Sequence, residues 1–84
     1  MKADIRILIA EDHRILREGL KALFSLSKEL TVVGEAGDGR DAVRMARELE
    51  PDVVILDISM PRTNGLDAIK EIKNLNPRTK VVIL

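Results

Sequence analysis

The sequence predicts an α/β domain built on a parallel sheet, and three observations carry that expectation. Short apolar runs, IRILIA from Ile5 to Ala10, VVIL from Val53 to Leu56 and KVVIL from Lys80 to Leu84, alternate with stretches whose apolar residues recur at helical spacing. The run at 53–56 is continuously apolar and rich in β-branched residues, which fits a strand buried on both faces. Finally, the stretch between successive strands is long enough for a crossover helix, the connection that parallel neighbours require.

Taken in order, the first strand covers Ile5 to Ala10 with Arg6 as its one polar interruption, and Glu11 and Asp12 follow directly. A helix from about Asp12 to Leu26 is expected next. Leu16, Leu20, Leu23 and Phe24 recur at its period, and Arg14, Arg17, Glu18 and Lys21 are left for water. Asp12 suits its N-cap or first turn, where negative charge is favoured. Gly19 costs that helix about 1 kcal/mol relative to alanine, which suggests close packing on the sheet.

Thr31 to Ala36 reads as a second strand, and its mixed polarity and Gly34 place it at the sheet edge. Gly37, Asp38 and Gly39 form a turn and a helix start. Ala42, Val43, Ala46 and Leu49 make that helix's inner face, and Pro51 closes it off. Arg40, Arg44 and Arg47 form a basic stripe on the outside, with Asp41 and Glu48 among them, the pattern of a solvated face. The third strand, Val53 to Leu56, runs into Asp57 and a loop marked by Pro61, Asn64 and Gly65. Asn64 caps the third helix, Asp67 stands three residues on as in a capping box, and Leu66, Ile69 and Ile72 supply its buried stripe. Asn74 to Pro77 ends it, and Lys80 to Leu84 is the fourth strand.

Composition narrows the function classes. The 84 residues make one small domain. The chain has no cysteine, hence no disulfide framework and no thiolate metal site, which suits a reducing cytoplasm. The opening MKADIRILIA shows neither a signal peptide nor a membrane span, so no membrane partner is expected. Lysine plus arginine equals aspartate plus glutamate at 14 each, without the basic excess of a nucleic-acid binder. One phenylalanine and no tyrosine or tryptophan leave no platforms for stacking bases.

The chemistry gathers on three acids. If the second strand flanks the first on one side and the third flanks it on the other, the strand order reverses between first and third. A crevice then opens at their carboxyl ends. Glu11 and Asp12 end one strand and Asp57 ends its neighbour, so three carboxylates share one mouth. Two such charges about 5 Å apart repel by roughly 3 kcal/mol at an effective dielectric of 20. Either one acid keeps its proton or a cation sits among them. An all-oxygen site suits a hard ion, Mg²⁺ above all. The plainer alternative has Glu11 and Asp12 capping the first helix and Asp57 bonding nearby backbone. His13 reads as a surface histidine in the first helical turn rather than a catalytic base.

Glu11-Asp12 after the first strand, with Asp57-Ile58-Ser59-Met60-Pro61 and then Asn64-Gly65, closely resembles the receiver domain of two-component response regulators. The resemblance runs from Ile5 to Leu84. Within that family, VVGEAGDGRDAV is similar to the branch that precedes a helix-turn-helix DNA-binding domain. The resemblance implies a flavodoxin-like parallel sheet with strand order 2-1-3-4 and three helices, and a cytoplasmic protein. Asp57 would be the phosphoacceptor, taking a phosphoryl group from a sensor histidine kinase. Asp12 and Asp57 would bind Mg²⁺ by their carboxylates, Ser59 by its backbone carbonyl, and Glu11 through a bound water. Met60, Pro61 and Gly65 would shape the loop. Such a module is no enzyme beyond Mg²⁺-dependent gain and loss of its own phosphoryl group.

Receivers also carry a fifth strand with a lysine, two further helices, and a serine or threonine just after the fourth strand. Residues 1–84 therefore read as a partial receiver that meets DNA only through an absent domain, and the apolar fourth strand as an edge open to self-association. The alternative is a self-associating α/β fragment without a working switch. A flavin or nucleotide binder of this topology would present Gly-rich amides where Ala10-Glu11-Asp12-His13 presents charge. A haloacid-dehalogenase-type phosphatase would need an aspartate at Ser59.

Overall fold

The computed structural model describes residues 4–60 and 64–84. Seven elements follow one another: β1 (Ile5–Ala10), α1 (Arg14–Phe24), β2 (Leu30–Ala36), α2 (Gly39–Leu49), β3 (Val53–Leu56), α3 (Gly65–Leu75) and β4 (Lys80–Ile83). The strands form one parallel sheet in the order β2-β1-β3-β4, as expected. β1 and β3 are thus central, which is why their runs are apolar save for Arg6, and β2 takes the edge its mixed polarity suggested. A bulge in β2 lets Ile7 face Val32 while Leu8 faces Gly34.

Alternation along the central strands divides the core into two layers. Leu8, Ala10, Val54 and Leu56 point to one face and pack with Ala42, Val43 and Ala46 of α2 and with Ala68 and Ile72 of α3. Ile7, Ile9 and Ile55 point to the other, where Leu20 and Phe24 of α1 and Leu30 and Val32 of β2 lie against them. Gly34 sits beneath α2 because a Cβ there would lie 2.7 Å from Met45 Cε and 2.8 Å from Leu49 Cδ1.

Helix ends follow side-chain chemistry. The Asp38 carboxylate accepts the Asp41 N–H at 2.8 Å and starts α2, and Asn64 does the same for Asp67 at 3.2 Å to start α3. α2 stops at Glu50, whose left-handed φ of 48° turns the chain toward buried Pro51. At that end Arg6 donates to the carbonyls of Leu49 and Glu50, at 2.6 and 3.0 Å, which satisfies orphan acceptors and explains the polar interruption in β1.

Four expectations are corrected. α1 begins at Arg14 with His13 at its N-cap, so Asp12 neither caps it nor lies in its first turn. Glu11 Oε2 instead accepts the His13 N–H at 2.9 Å and holds the entry loop from outside the helix. Leu16 and Leu23 are exposed, because α1 covers only part of its sheet face. Leu66 is 70% exposed, and Ala68 takes the buried place beside Ile72. Among the described residues, nothing beyond its chain neighbours and its own helix backbone lies within 4 Å of a Cβ built at Gly19, so it is not a packing glycine. Gly19→Ala is therefore expected to raise stability by about 1 kcal/mol through helix propensity alone. Urea unfolding measures this directly, and a loss of stability would show an unseen contact.

Candidate functional site

Register places the acids. Ala10 lies opposite Leu56, so the next residues, Glu11 and Asp57, leave the sheet side by side. The Asp57 N–H donates to the Ala10 carbonyl at 2.9 Å and the Glu11 N–H to the Ala36 carbonyl at 3.0 Å, so both backbones are pinned where the strands stop. One ligand atom from each of Glu11, Asp12, His13 and Asp57 lies within 4.8 Å of all the others. Glu11 is fully buried and Asp57 is 8% exposed. Asp57 does bond nearby backbone, as in the plainer alternative, since it accepts the Ser59 N–H, and it converges with Glu11 and Asp12 all the same.

Two oxygens in this mouth lack donors. Glu11 Oε1 and Asp12 Oδ1 are buried and accept no hydrogen bond. An unsatisfied buried carboxylate oxygen is costly, so the donor set fits a cation. These oxygens and the carboxylate of Asp57 are hard donors of the kind Mg²⁺ selects.

Asp57 is tuned by the loop that follows it. Ser59 donates to Asp57 Oδ1 twice, from its hydroxyl at 2.7 Å and from its backbone N–H at 2.9 Å. These bonds, the hydroxyl's foremost, hold the Asp57 carboxyl below the usual range against the opposing effect of desolvation. Asp57 is accordingly ionised, and a retained proton on Asp57 is not how its charge is accommodated. Met60 is buried in the core beneath α2 and α3 and anchors the same loop, while Gly65 lets α3 approach within 2.9 Å of Ile58 Cβ, measured from a built Cβ. Pro61 lies outside the described residues.

Sequence reasoning missed two partners of this mouth. His13 is an exposed surface residue, as read, yet its Nδ1 lies 2.6 Å from Glu11 Oε2 and 3.3 Å from Asp12 Oδ1. Arg17, expected to face water, does not. Its Nη1 instead donates to the Glu11 carbonyl at 2.7 Å and its Nε to Glu35 Oε1 at 3.1 Å, and Lys21 Nζ holds the other Glu35 oxygen at 2.8 Å. A charge on β2 thus braces α1 against the acidic loop. The only signal for it was the spacing of Arg17 and Lys21, one helical turn apart on the side facing β2.

The Glu11 hydrogen bond, aided by the Asp12 charge, raises the His13 pKa above the ordinary 6.5. A raised value means the protonated ring favours the folded state. That contribution is complete below pH 6.5 and fades as the pH rises through the folded value. His13 is the only histidine, so its ring resonances can be followed by NMR without ambiguity. The expected midpoint without divalent ions lies above 6.5, and one at or below it would break the contact with Glu11.

A groove of about 410 Å³ between α2 and α3 is lined by Arg40, Arg44, Arg47, Asp67 and Glu71 and shares no residue with the acids. Arg44 pairs within α2 to Asp41 and Glu48, at 3.5 and 3.3 Å, as a solvated helix face does. No helix among the described residues is long and apolar enough to cross a membrane.

Known proteins share this fold. The chain is 47% identical over 79 residues to the transcriptional regulatory protein YdfI of Bacillus subtilis, covering 94% of this chain and 37% of that protein. It is 38% identical over 77 residues to the nitrate/nitrite response regulator protein NarL of Escherichia coli K12, covering 92% and 36%. Among solved structures, the signal receiver domain of the putative response regulator NarL from Mycobacterium tuberculosis superposes with a TM-score of 0.88 at 33% identity, covering 96% of this chain and 65% of that one. The response regulator domain of Thermotoga maritima CheB gives 0.89 at 40%, covering 95% and 59%. The chain spans a little over a third of the curated relatives it matches. Its sheet order and helices are those of the flavodoxin-like receiver fold. With residues 7–84 also matching the model of the response regulator receiver domain, the acidic mouth and the sheet that builds it identify this chain as a member of the response regulator receiver family.

Proposed function

We propose that this chain is the phosphoacceptor module of a two-component transcriptional regulator, with Asp57 accepting a phosphoryl group from the phosphohistidine of a sensor kinase. The observation that carries the proposal is the nearly buried Asp57 held beside Glu11 and Asp12 at the carboxyl ends of β1 and β3. An Asp57 oxygen attacks phosphorus, the bond to the donor's nitrogen breaks, and an aspartyl phosphate results. The proposed ion is Mg²⁺, held by the carboxylates of Asp12 and Asp57 and the Ser59 carbonyl, with Glu11 acting through water. When bound, it neutralises charge on the transferring group. Ser59 orients the nucleophile by occupying Oδ1, which leaves Oδ2 as the attacking atom. Arg17 and Glu35 keep the Glu11 backbone in register with Asp57.

In this proposal the chain belongs to a longer cytoplasmic regulator whose DNA-binding part lies beyond these residues, and its only catalysis is gain and loss of its own phosphoryl group. The test is incubation with acetyl phosphate and Mg²⁺. Intact mass should rise by one phosphoryl group, and hydroxylamine, which cleaves acyl phosphates, should remove it. Uptake that resists hydroxylamine would point to a different acceptor chemistry and overturn the reading.

A second element of the proposal concerns β4. Its outer edge is unpaired among the described residues, and Val82, Ile83 and Leu84 are 47%, 50% and 50% exposed. Apolar edges of this kind pair with other chains. The 84-residue chain by itself is expected to self-associate, and a monomer in light scattering at high concentration would remove this element alone.

A further inference from the structure

The acidic mouth contains a nitrogen that the proposed Mg²⁺ chemistry does not use. His13 occupies the N-cap of α1 yet makes no side-chain capping bond, so the helix does not employ its imidazole. Its orientation is nonetheless set, because Glu11 Oε2 receives both its backbone N–H, at 2.9 Å, and Nδ1, at 2.6 Å. Nδ1 also lies 3.3 Å from Asp12 Oδ1. Glu11 itself is fully buried, and its second oxygen, Oε1, has no partner.

We propose that His13 is a direct ligand of the ion centre through Nδ1, so that the centre takes borderline divalent ions such as Ni²⁺, Co²⁺ and Zn²⁺ with an affinity that carboxylates alone do not reach. The inference rests on the reading of Glu11, Asp12 and Asp57 as an ion-binding centre. Ligands about 2.1 Å from an ion stand roughly 3.0 Å apart when adjacent in an octahedron and about 3.4 Å apart in a tetrahedron. The distance from Nδ1 to Asp12 Oδ1, 3.3 Å, lies between the octahedral and tetrahedral edges, and for an ion to enter beside Asp12 the ring has to give up its hydrogen bond to Glu11 Oε2. Imidazole nitrogen is a borderline donor that suits nickel, cobalt and zinc, whereas Mg²⁺ prefers oxygen and keeps its waters. The His13 side chain is 68% exposed and the mouth is open, so the imidazole can turn its lone pair onto an incoming ion and release its proton to solvent.

Isothermal titration calorimetry on the untagged chain tests this, with Mg²⁺ and Ni²⁺ titrated separately into the wild type, His13→Ala and Asp57→Asn. Ni²⁺ binds carboxylate sites more tightly than Mg²⁺ in any case, so the readout is the change in the ratio. Losing a group that only supports a ligand costs about 10–100-fold in affinity, so losing a direct ligand should weaken Ni²⁺ at least about tenfold. Mg²⁺ affinity should change by much less than Ni²⁺ affinity, and unchanged far-ultraviolet circular dichroism shows that the variant is folded. Co²⁺ absorption should lose intensity in His13→Ala as the nitrogen donor is replaced by water. An unchanged Ni²⁺ affinity, or an equal loss for both ions, would overturn the role of His13. A wild type that binds neither ion, or an Asp57→Asn chain that binds both as tightly as wild type, would instead overturn the underlying reading of the acidic centre.

Discussion

Asp57→Asn is expected to abolish phosphoryl uptake from acetyl phosphate while the fold persists. The amide matches the carboxylate in size, and its oxygen can still accept the two Ser59 bonds now made to Oδ1. What it lacks is the second anionic oxygen, which is the proposed nucleophile. No neighbour substitutes for it. Glu11 is fully buried and bonded to His13 through Oε2, and Asp12 stands beside His13 at the end of β1. Far-ultraviolet circular dichroism should be unchanged, and the mass increase should fall below detection. Continued hydroxylamine-sensitive uptake would place the acceptor on another acid and would remove Asp57 from the role proposed for it.

Acid should also weaken the fold through Asp57. Because its carboxyl titrates below the ordinary value, the ionised group stabilises the native state above the unfolded pKa of about 3.9. That share is lost as pH falls through the lower folded value. Asp57→Asn removes it at every pH, so the variant's stability should vary less with pH in the acid range than the wild type's.

The largest stability loss is expected for Leu8→Ala. Leu8 is fully buried beneath α2, with its Cδ1 near Gly34. Emptying such a site costs about 2–5 kcal/mol from lost transfer and an unfilled cavity. Stability of roughly 0.05–0.15 kcal/mol per residue gives a chain of 84 residues about 4–13 kcal/mol in total. The variant should therefore sit near or past the edge of folding at 37 °C. Leu16→Ala makes the same chemical change on a residue 46% exposed and should stay within about 0.5 kcal/mol of wild type. Urea midpoints for the two, at unchanged slope, separate burial from composition. Similar losses for both would contradict the packing described.

Most of the site was legible because it depends on where strands end. A buried strand is a run of adjacent apolar residues, and its end is marked by the first charge. VVIL followed by Asp57, and IRILIA followed by Glu11-Asp12, therefore located both halves of the mouth. The alternation of strand and helix then brought them together. Gly34 was read as an edge residue and does lie in the edge strand, but its tight contact with Met45 and Leu49 was invisible, since nothing local says where α2 lands. Leu66 and Gly19 failed for the same reason. A helical period shows that a stripe exists, but coverage by other elements decides which of its residues are buried.

The sequence by itself determined the elements, their order in the sheet, the convergence of three carboxylates and the family. The elements follow from short-range patterns, whereas their order in the sheet, and with it the convergence of the acids, follows from the resemblance to receivers. Only the tertiary structure decided that Ser59 sets the Asp57 oxygens, that His13 faces Glu11, and that Arg17 reaches from α1 to the Glu11 carbonyl under the hold of Glu35. Long polar side chains carry several rotatable bonds. Their partners are chosen by whatever charge the folded chain brings within reach, which for Arg17 is a residue 18 positions away.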